Sequence, residues 1–213
     1  MRSPTETLEI MEIFNRRDPN PRCELDFHNA YTLLVAVVLS AQSTDKGVNK
    51  ATKELFQIAD TPQKMLELGL ERLKTYIKTI GLYNNKAKNI IALSEDLVNK
   101  HQGEVPSRRE DLENLAGVGR KTANVVLNVW FNQPTLAVDT HVMRISHRLD
   151  FSQGKTPLEV EKDLLNVLPD NYKKNANHWL VLFGRYICKA QNPDCANCPI
   201  NAYCYSKDKK SNS

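Results

Sequence analysis

Apolar residues recur along the chain at the spacing of helices. Between residues 86 and 102 an apolar stripe with the period of one helix face consists of Ile90, Leu93, Leu97 and Val98. Gly103 follows this stripe and is a typical helix end. The run YTLLVAVVLSAQ at 31–42 is almost entirely apolar but too short to span a bilayer, so it predicts a buried core helix. Another helix is predicted at 177–188, and no stretch alternates convincingly with period two. The pattern predicts an all-α protein.

Several of these helices begin with capping signals. Ser3, Ser107 and Thr156 are each followed three residues later by a glutamate, which is the capping-box pattern. Thr61 precedes Pro62, and proline is well tolerated as a first helical residue because its missing N–H would have no partner there. Residues 133–141 predict an extended segment that leads into a helix.

Composition and charge are ordinary for a soluble globular protein. The 213 residues are 41% hydrophobic and 25% charged, with a formal net charge of +4, and they suit one large or two small domains. Residues 173–213 hold seven Lys or Arg against two Asp or Glu, which fits either a polyanionic partner or a solvated tail. The first residues lack the apolar core of a signal peptide, so we expect a cytoplasmic protein without a membrane segment.

Four of the five cysteines fall within 17 residues, in the pattern C-x6-C-x2-C-x5-C, as Cys188, Cys195, Cys198 and Cys204. Four thiolates this close in sequence can hold one tetrahedral zinc ion or the corners of an iron–sulfur cube. Ligand type alone leaves both possibilities open. Cys23 lies far from this cluster and is expected to be a core or surface thiol.

The stretch ENLAGVGRKTANVVLNV at 113–129 predicts a helix, a glycine turn and a second helix. Gly117 and Gly119 would allow positive φ and the close approach of another backbone. The N–H groups from Gly117 through Val118 and Gly119 to Arg120, together with the start of the second helix, suit a phosphate. The alternative is a tight helix–helix connection without a ligand.

Lys121 falls in the first turn of the second helix, beside Arg120. A lysine with a free amine can attack a sugar carbon and form a Schiff base, although a solvated lysine on a phosphate is the simpler alternative. Asp139 precedes an apolar helix and is a candidate N-cap, or a carboxylate that takes the proton of the amine or stabilises a cationic sugar. His141 is a weaker candidate for a catalytic acid, because a capping or packing role explains it as well.

Together these segments resemble the helix–hairpin–helix DNA glycosylases of the endonuclease III family. The resemblance covers nearly the whole chain, through LLVAVVLSAQSTDKGVNKA, TYIKTIGLYNNKAKNI, GVGRKTANVVLN, AVDTHVMR, HWLVLFGRYIC and the cysteine pattern, in the order of the family. It implies two all-α lobes: a six-helix lobe at 24–133 that carries the helix–hairpin–helix motif, and a cluster lobe made from 1–23 and 134–213. It also implies a [4Fe–4S] cluster on the four cysteines, rather than zinc, and a monomer that binds damaged double-stranded DNA.

The same resemblance implies roles for individual residues. Lys121 matches the Schiff-base lysine and Asp139 the catalytic aspartate, and His141 is expected to contact DNA. Gln42 and Leu82 match residues that fill the space left by an extruded nucleotide, although a helix-end Gln and a core Leu would be expected without the family. The hairpin of the family usually has proline where this chain has Ala116, so the turn is expected to be less preorganised.

The function that the resemblance implies is that of a bifunctional DNA glycosylase and abasic-site lyase that excises oxidised pyrimidines. A monofunctional adenine glycosylase of the same superfamily is a weaker alternative, because such enzymes lack the lysine at position 121. A non-catalytic DNA-binding protein is a further alternative, and it would keep all its activities unchanged in Lys121→Gln. A zinc-stabilised binder would be colourless, whereas an iron–sulfur protein is yellow-brown.

Overall fold

The structure is a computed structural model that describes residues 2–210, and within this range every regular element is helical. The helices are α1 (Pro4–Arg17), α2 (Ala30–Ser40), α3 (Asp45–Ile58), α4 (Pro62–Leu68), α5 (Leu70–Ile77), α6 (Tyr83–His101), α7 (Arg109–Glu113), α8 (Arg120–Val129), α9 (Thr140–Arg148), α10 (Pro157–Val167), α11 (Asp170–Tyr186) and a 3-10 turn, η1 (Asn201–Tyr203). The all-α prediction is confirmed. Among the described helices, none combines the length and apolar character that crossing a membrane requires.

Three of the four predicted helix starts are correct. The side chains of Ser3 and Thr61 accept hydrogen bonds from the backbone N–H groups three residues on, and Thr156 forms a reciprocal capping box with Glu159. The predicted start at Ser107 is wrong by one residue, because α7 begins at Arg109 and its N-cap, Arg108, provides no side-chain acceptor. α7 has only five residues, so it is held by its surroundings rather than by a local cap.

Residues 23–132 form a compact unit that contains α2 to α8. Seven helices lie here rather than six, because Gly69, with φ of 78°, both ends α4 and begins α5. α2 is the central helix, since every residue from Tyr31 to Leu39 is buried. Its start is closed by a capping box between Asn29 and Thr32. The predicted buried core helix is therefore confirmed.

α6 carries the predicted apolar stripe, with Ile90, Leu93 and Leu97 buried. The helix ends at His101, and the following Gln102 and Gly103 both have positive φ. The N–H of Gly103 donates to the carbonyl of Leu97 at 2.8 Å, which satisfies one of the last free carbonyls of the helix.

The described residues of 1–22 and 133–213 form the second compact unit, with α1, α9, α10, α11 and η1. Its core includes an aromatic group in which Phe14 of α1 lies against Phe183 and Trp179 of α11. The indole N–H of Trp179 also donates to the carbonyl of Asp18 at 2.8 Å. The first residues of the chain are thus packed against a helix more than 150 positions later.

α9 packs against α11 at a position where the latter has glycine. A Cβ at Gly184 would lie 3.0 Å from the Cβ of His141 and 3.1 Å from Cγ1 of Ile145. The absence of a side chain at Gly184 therefore permits the close approach of the two helices. This contact fixes α9, whose first turn follows Asp139.

Candidate active site and cysteine cluster

The turn between α7 and α8 needs glycine at one of its two glycine positions. Gly117 has φ of 75°, and a Cβ there would lie 2.8 to 3.0 Å from side-chain atoms of Asn89 on α6. Gly119 has φ of −96°, which any residue adopts, and a Cβ there would meet nothing within 4 Å. The positive φ that the sequence allows at both glycines is present at Gly117 and not at Gly119. Open space in front of Gly119 suits the approach of an external group.

The other hairpin residues differ in what they expose. Val118 is 4% exposed and packs in the core, and its N–H donates to the carbonyl of Leu115 at 3.1 Å. Arg120 is exposed, with Nη1 4.0 Å from Oε1 of Glu113. Gly119 is the N-cap of α8 and offers no side-chain acceptor, so the helix start is available to an anion. Ala116 is half-buried against the core.

Lys121 is exposed in the first turn of α8. No side chain of the described residues 23–132 forms an ion pair or hydrogen bond with its ammonium group. Its side chain is therefore not committed to a structural contact within this unit. Its role as the nucleophile stays a prediction.

Asp139 is half-buried at the N-terminus of α9, and its Oδ1 accepts a hydrogen bond from the N–H of Val142 at 2.8 Å. It is therefore the N-cap of the helix, as one of its two predicted roles requires. This bond orients the carboxylate, while its second oxygen, Oδ2, accepts no hydrogen bond from described residues of the same unit. A catalytic role for Asp139 remains compatible with the cap and stays a prediction.

His141 lies against Arg144 and α11. Its Nδ1 is 3.3 Å from Nη2 of Arg144, which also donates to the carbonyl of Gly184 at 2.7 Å. Burial lowers the pKa of Arg144. The packing role of His141 that the sequence allowed is therefore present, and its contact with DNA stays a prediction.

Gln42 and Leu82 share an uncommon backbone conformation. Gln42 has φ of 57° just after α2, and Leu82 has φ of 58° just before α6. Both are exposed, and Leu82 exposes 62% of its surface. Leu82 is thus not a core residue, contrary to the expectation without the family. A large apolar side chain that is held in a left-handed backbone and faces solvent is typical of a functional site.

Lys86, in the first turn of α6, is a residue that sequence reasoning missed. It is 6% exposed, and its Nζ donates to the carbonyls of Leu39 at 2.9 Å and Ala41 at 2.6 Å. A signal was present, because position 86 continues the helical spacing of the stripe at 90, 93 and 97 and so lies on the buried face.

The four clustered cysteines line one cavity, together with hydrophobic residues that include Phe183, Ile187 and Ile200. Within the described residues, none of the five cysteines forms a disulfide bond. Burial raises the pKa of Cys188, and raises that of Cys198 to about 11. Metal binding at these thiols must therefore displace protons.

The surroundings of the thiols supply positive charge and N–H donors. Nη1 of Arg148 lies 3.3 Å from Sγ of Cys188, and the backbone N–H of Lys210 donates to Sγ of Cys195 at 3.4 Å. Such donors stabilise thiolates and sulfur atoms of an iron–sulfur centre. Four cysteines around one largely apolar cavity fit a four-iron cluster. Among the described residues, no set of three or more His, Cys, Asp or Glu side chains is arranged to hold a single metal ion.

Comparison with known families identifies the chain. Residues 35–170 match the HhH-GPD superfamily base excision DNA repair proteins, and residues 188–204 match the iron–sulfur binding domain of endonuclease III. The chain belongs to the HhH-GPD superfamily of base excision DNA repair proteins. The second match spans all four clustered cysteines, and it decides between the two metals that ligand type left open. The [4Fe–4S] prediction is confirmed.

Individual HhH-GPD proteins are similar over almost the full length. Endonuclease III of Haemophilus influenzae is 54% identical over 205 residues, which are 96% of this chain and 97% of that protein. Endonuclease III of Escherichia coli K12 is 53% identical over 202 residues, with 95% and 96% covered. A structure of a trapped endonuclease III–DNA covalent intermediate superposes with a TM-score of 0.90 at 46% identity, covering 96% of this chain and 97% of that one.

These similarities confirm the predicted function class. The chain is a base excision repair enzyme, a DNA glycosylase with abasic-site lyase activity. The all-α fold expected from the resemblance is also that of a thermostable thymine-DNA glycosylase, which is 21% identical with a TM-score of 0.81.

Proposed function

We propose that the enzyme excises oxidised pyrimidines from double-stranded DNA and cuts the strand by β-elimination, with Lys121 as the nucleophile. The observation that carries this proposal is the position of Lys121, an exposed and uncommitted amine two residues after the open backbone of Gly119. The similar structure supports it, since that endonuclease III was trapped in a covalent intermediate with DNA.

In the proposed chemistry, Lys121 acts first as a nucleophile and then, as an imine, makes the neighbouring hydrogen acidic. The neutral amine attacks C1′ of the damaged nucleotide, the bond from C1′ to the base breaks, and the base leaves with a proton. Opening of the sugar ring gives an imine between Nζ and C1′. The imine acidifies the hydrogen on C2′, and its removal expels the 3′ phosphate, so the strand is cut on the 3′ side. Water then hydrolyses the imine and frees the lysine.

We assign Asp139 the role of assisting this attack, either as the base that takes the proton of the amine or as a charge that stabilises a cationic sugar. Its cap bond to Val142 supports the proposal because it keeps one carboxylate oxygen oriented while the other is unpaired within the unit. His141 is proposed as a further DNA contact.

We assign DNA contacts to the hairpin and to the two exposed left-handed residues. The backbone from Gly117 through Val118 and Gly119 to Arg120 would bind phosphate, without reading base sequence. Gln42 and Leu82 would fill the space that the flipped nucleotide leaves. Their contacts would offset the cost of unstacking that nucleotide, which is about a few kcal/mol. The exposed side chain of Leu82 supports this role. We further propose that the enzyme acts as a monomer, in the cytoplasm where chromosomal DNA lies.

Borohydride reduction tests the central step. The enzyme is incubated with a duplex that contains one abasic site, the imine is reduced, and covalent protein–DNA adducts are counted after denaturation. We expect an adduct with the wild type and with Lys50→Gln, an exposed-lysine control on α3, and none with Lys121→Gln. An adduct that persists at full yield in Lys121→Gln would refute Lys121 as the nucleophile. Duplexes with single oxidised pyrimidines, compared with oxidised purines, test the substrate class.

A further inference from the structure

Lys86 is a buried cation with a complete set of acceptors. Its ammonium group donates to the carbonyl of Leu39, the carbonyl of Ala41 and, at 3.3 Å, the hydroxyl of Ser43. A lysine ammonium has three N–H groups, so these three acceptors match it in number. Lysine is rarely buried without such compensation.

The two carbonyls lie where a cation is most favourable. Leu39 is in the last turn of α2, and Ala41 is its C-cap. Carbonyls at a helix C-terminus lack intrahelical partners and form the negative end of the helix dipole. Burial lowers the pKa of Lys86. Hydrogen bonds from its ammonium group to the two carbonyl oxygens favour the charged form and so act against this lowering. Lys86 therefore acts as a side-chain cap that α6 provides for α2.

Lys86 forms hydrogen bonds next to Gln42 and with Leu82, two exposed residues with left-handed backbone. Two of its side-chain acceptors, in Ala41 and Ser43, flank Gln42 on either side along the chain. The backbone N–H of Lys86 donates to the carbonyl of Leu82 at 3.1 Å. The two loops also lie close together, since a Cβ at Gly81 would lie 3.9 Å from the carbonyl oxygen of Gln42. The side chain of Lys86 thus bonds the loop that follows α2, and its backbone bonds the residue that precedes α6.

We propose that Lys86 is a positioning residue that holds Gln42 and Leu82 as one preformed unit for insertion into the DNA duplex. The inference rests on the proposed DNA contacts of these two residues. A left-handed backbone at Gln42 is costly for a free loop, and it persists only when surrounding contacts determine it. The side chain of Lys86 provides such contacts on both sides of Gln42, and it need not touch DNA itself. Loss of the Lys86 side chain should therefore reduce cleavage only of substrates in which Gln42 and Leu82 must insert into a duplex.

The test compares two substrates of the intact enzyme. One is a duplex with a single abasic site, and the other is the same abasic strand without its complement, which offers no double-helical stack and no opposing base. Lys86→Met keeps the length and apolar stem but removes the charge and donors, and Lys86→Arg keeps both. The stability control is Thr52→Val, which deletes a buried hydroxyl that donates to the carbonyl of Val48 in α3.

We expect Lys86→Met to lower single-turnover cleavage of the duplex by about tenfold or more relative to cleavage of the single strand, because small displacements of positioning groups have effects of this size. Lys86→Arg should restore part of the loss, and Thr52→Val should leave the ratio of the two substrates unchanged. Fluorescence of 2-aminopurine opposite the abasic site should show weaker insertion in Lys86→Met.

A double variant separates the possible failures. If Lys86 acts through Gln42, then Lys86→Met should have less than about a twofold further effect on duplex cleavage in a Gln42→Ala background. Equal losses on both substrates, or full additivity of the two changes, would overturn the role of Lys86 and leave the proposed function standing. If Leu82→Ala and Gln42→Ala each leave duplex cleavage at the wild-type level, the proposed DNA contacts fail, and the inference fails with them.

Discussion

Replacing the two hairpin glycines by alanine should have opposite consequences for the enzyme. In Gly117→Ala the new residue must keep φ of 75°, and its Cβ must displace Asn89 from 2.8 Å. A left-handed conformation costs alanine about 1–2 kcal/mol, and displacement of a half-buried side chain adds to this. We therefore expect Gly117→Ala to lower the free energy of unfolding by about 2 kcal/mol.

In Gly119→Ala neither penalty applies. The residue has φ of −96° and the added Cβ meets nothing within 4 Å. Alanine restricts the unfolded chain more than glycine, so the free energy of unfolding should stay constant or rise by about 0.5 kcal/mol. If the backbone there approaches a phosphate, however, the methyl group intervenes. DNA affinity should then fall by about tenfold, which corresponds to about 1.4 kcal/mol.

Urea unfolding followed by circular dichroism measures the first quantity, and fluorescence anisotropy with an abasic-site duplex at fixed salt measures the second. The reasoning would be refuted if Gly119→Ala were destabilised as strongly as Gly117→Ala, or if it bound DNA with unchanged affinity. Arg120→Ala provides a reference for binding, because its loss removes a charge rather than backbone access.

Two further predictions follow from single contacts. Asp139→Asn should unfold within about 0.5 kcal/mol of the wild type because asparagine caps a helix equally well, whereas Asp139→Ala should lose about 1 kcal/mol. If the carboxylate assists the reaction, both variants should slow borohydride trapping by about a hundredfold or more, and a normal rate in Asp139→Asn would remove its catalytic role. Burial raises the pKa of Tyr31, whose hydroxyl contacts that of Ser94 at 2.6 Å. The unfolded tyrosine ionises from about pH 10 while the folded one stays neutral. The contribution of the Tyr31 hydroxyl to the free energy of unfolding is therefore complete below pH 10 and is lost as the pH rises above it. Tyr31→Phe should therefore be less stable by about 1 kcal/mol at pH 8, with a difference that shrinks above pH 10 in urea titrations; a constant difference would contradict the buried hydroxyl.

Local signals in the sequence predicted most of the helices. The caps at Ser3, Thr61 and Thr156 act over three residues, so their outcome depends little on the rest of the chain. The apolar run at 31–42 had to be buried somewhere, and it became the centre of its unit. The cysteine spacing indicated a metal centre for the same reason, because four thiolates close in sequence can converge with little chain between them.

The tertiary structure decided the features that depend on distant residues. Whether Gly117 tolerates a side chain depends on Asn89, and whether Lys86 is buried depends on carbonyls more than 40 positions earlier. Leu82 is exposed at the N-cap position of α6, although its apolar side chain alone favours a core position. Sequence by itself thus determined most of the helices, the cysteine cluster and the family. Burial, backbone conformation and the partners of each charge depend on packing between segments far apart in the chain, and only the folded structure decides them.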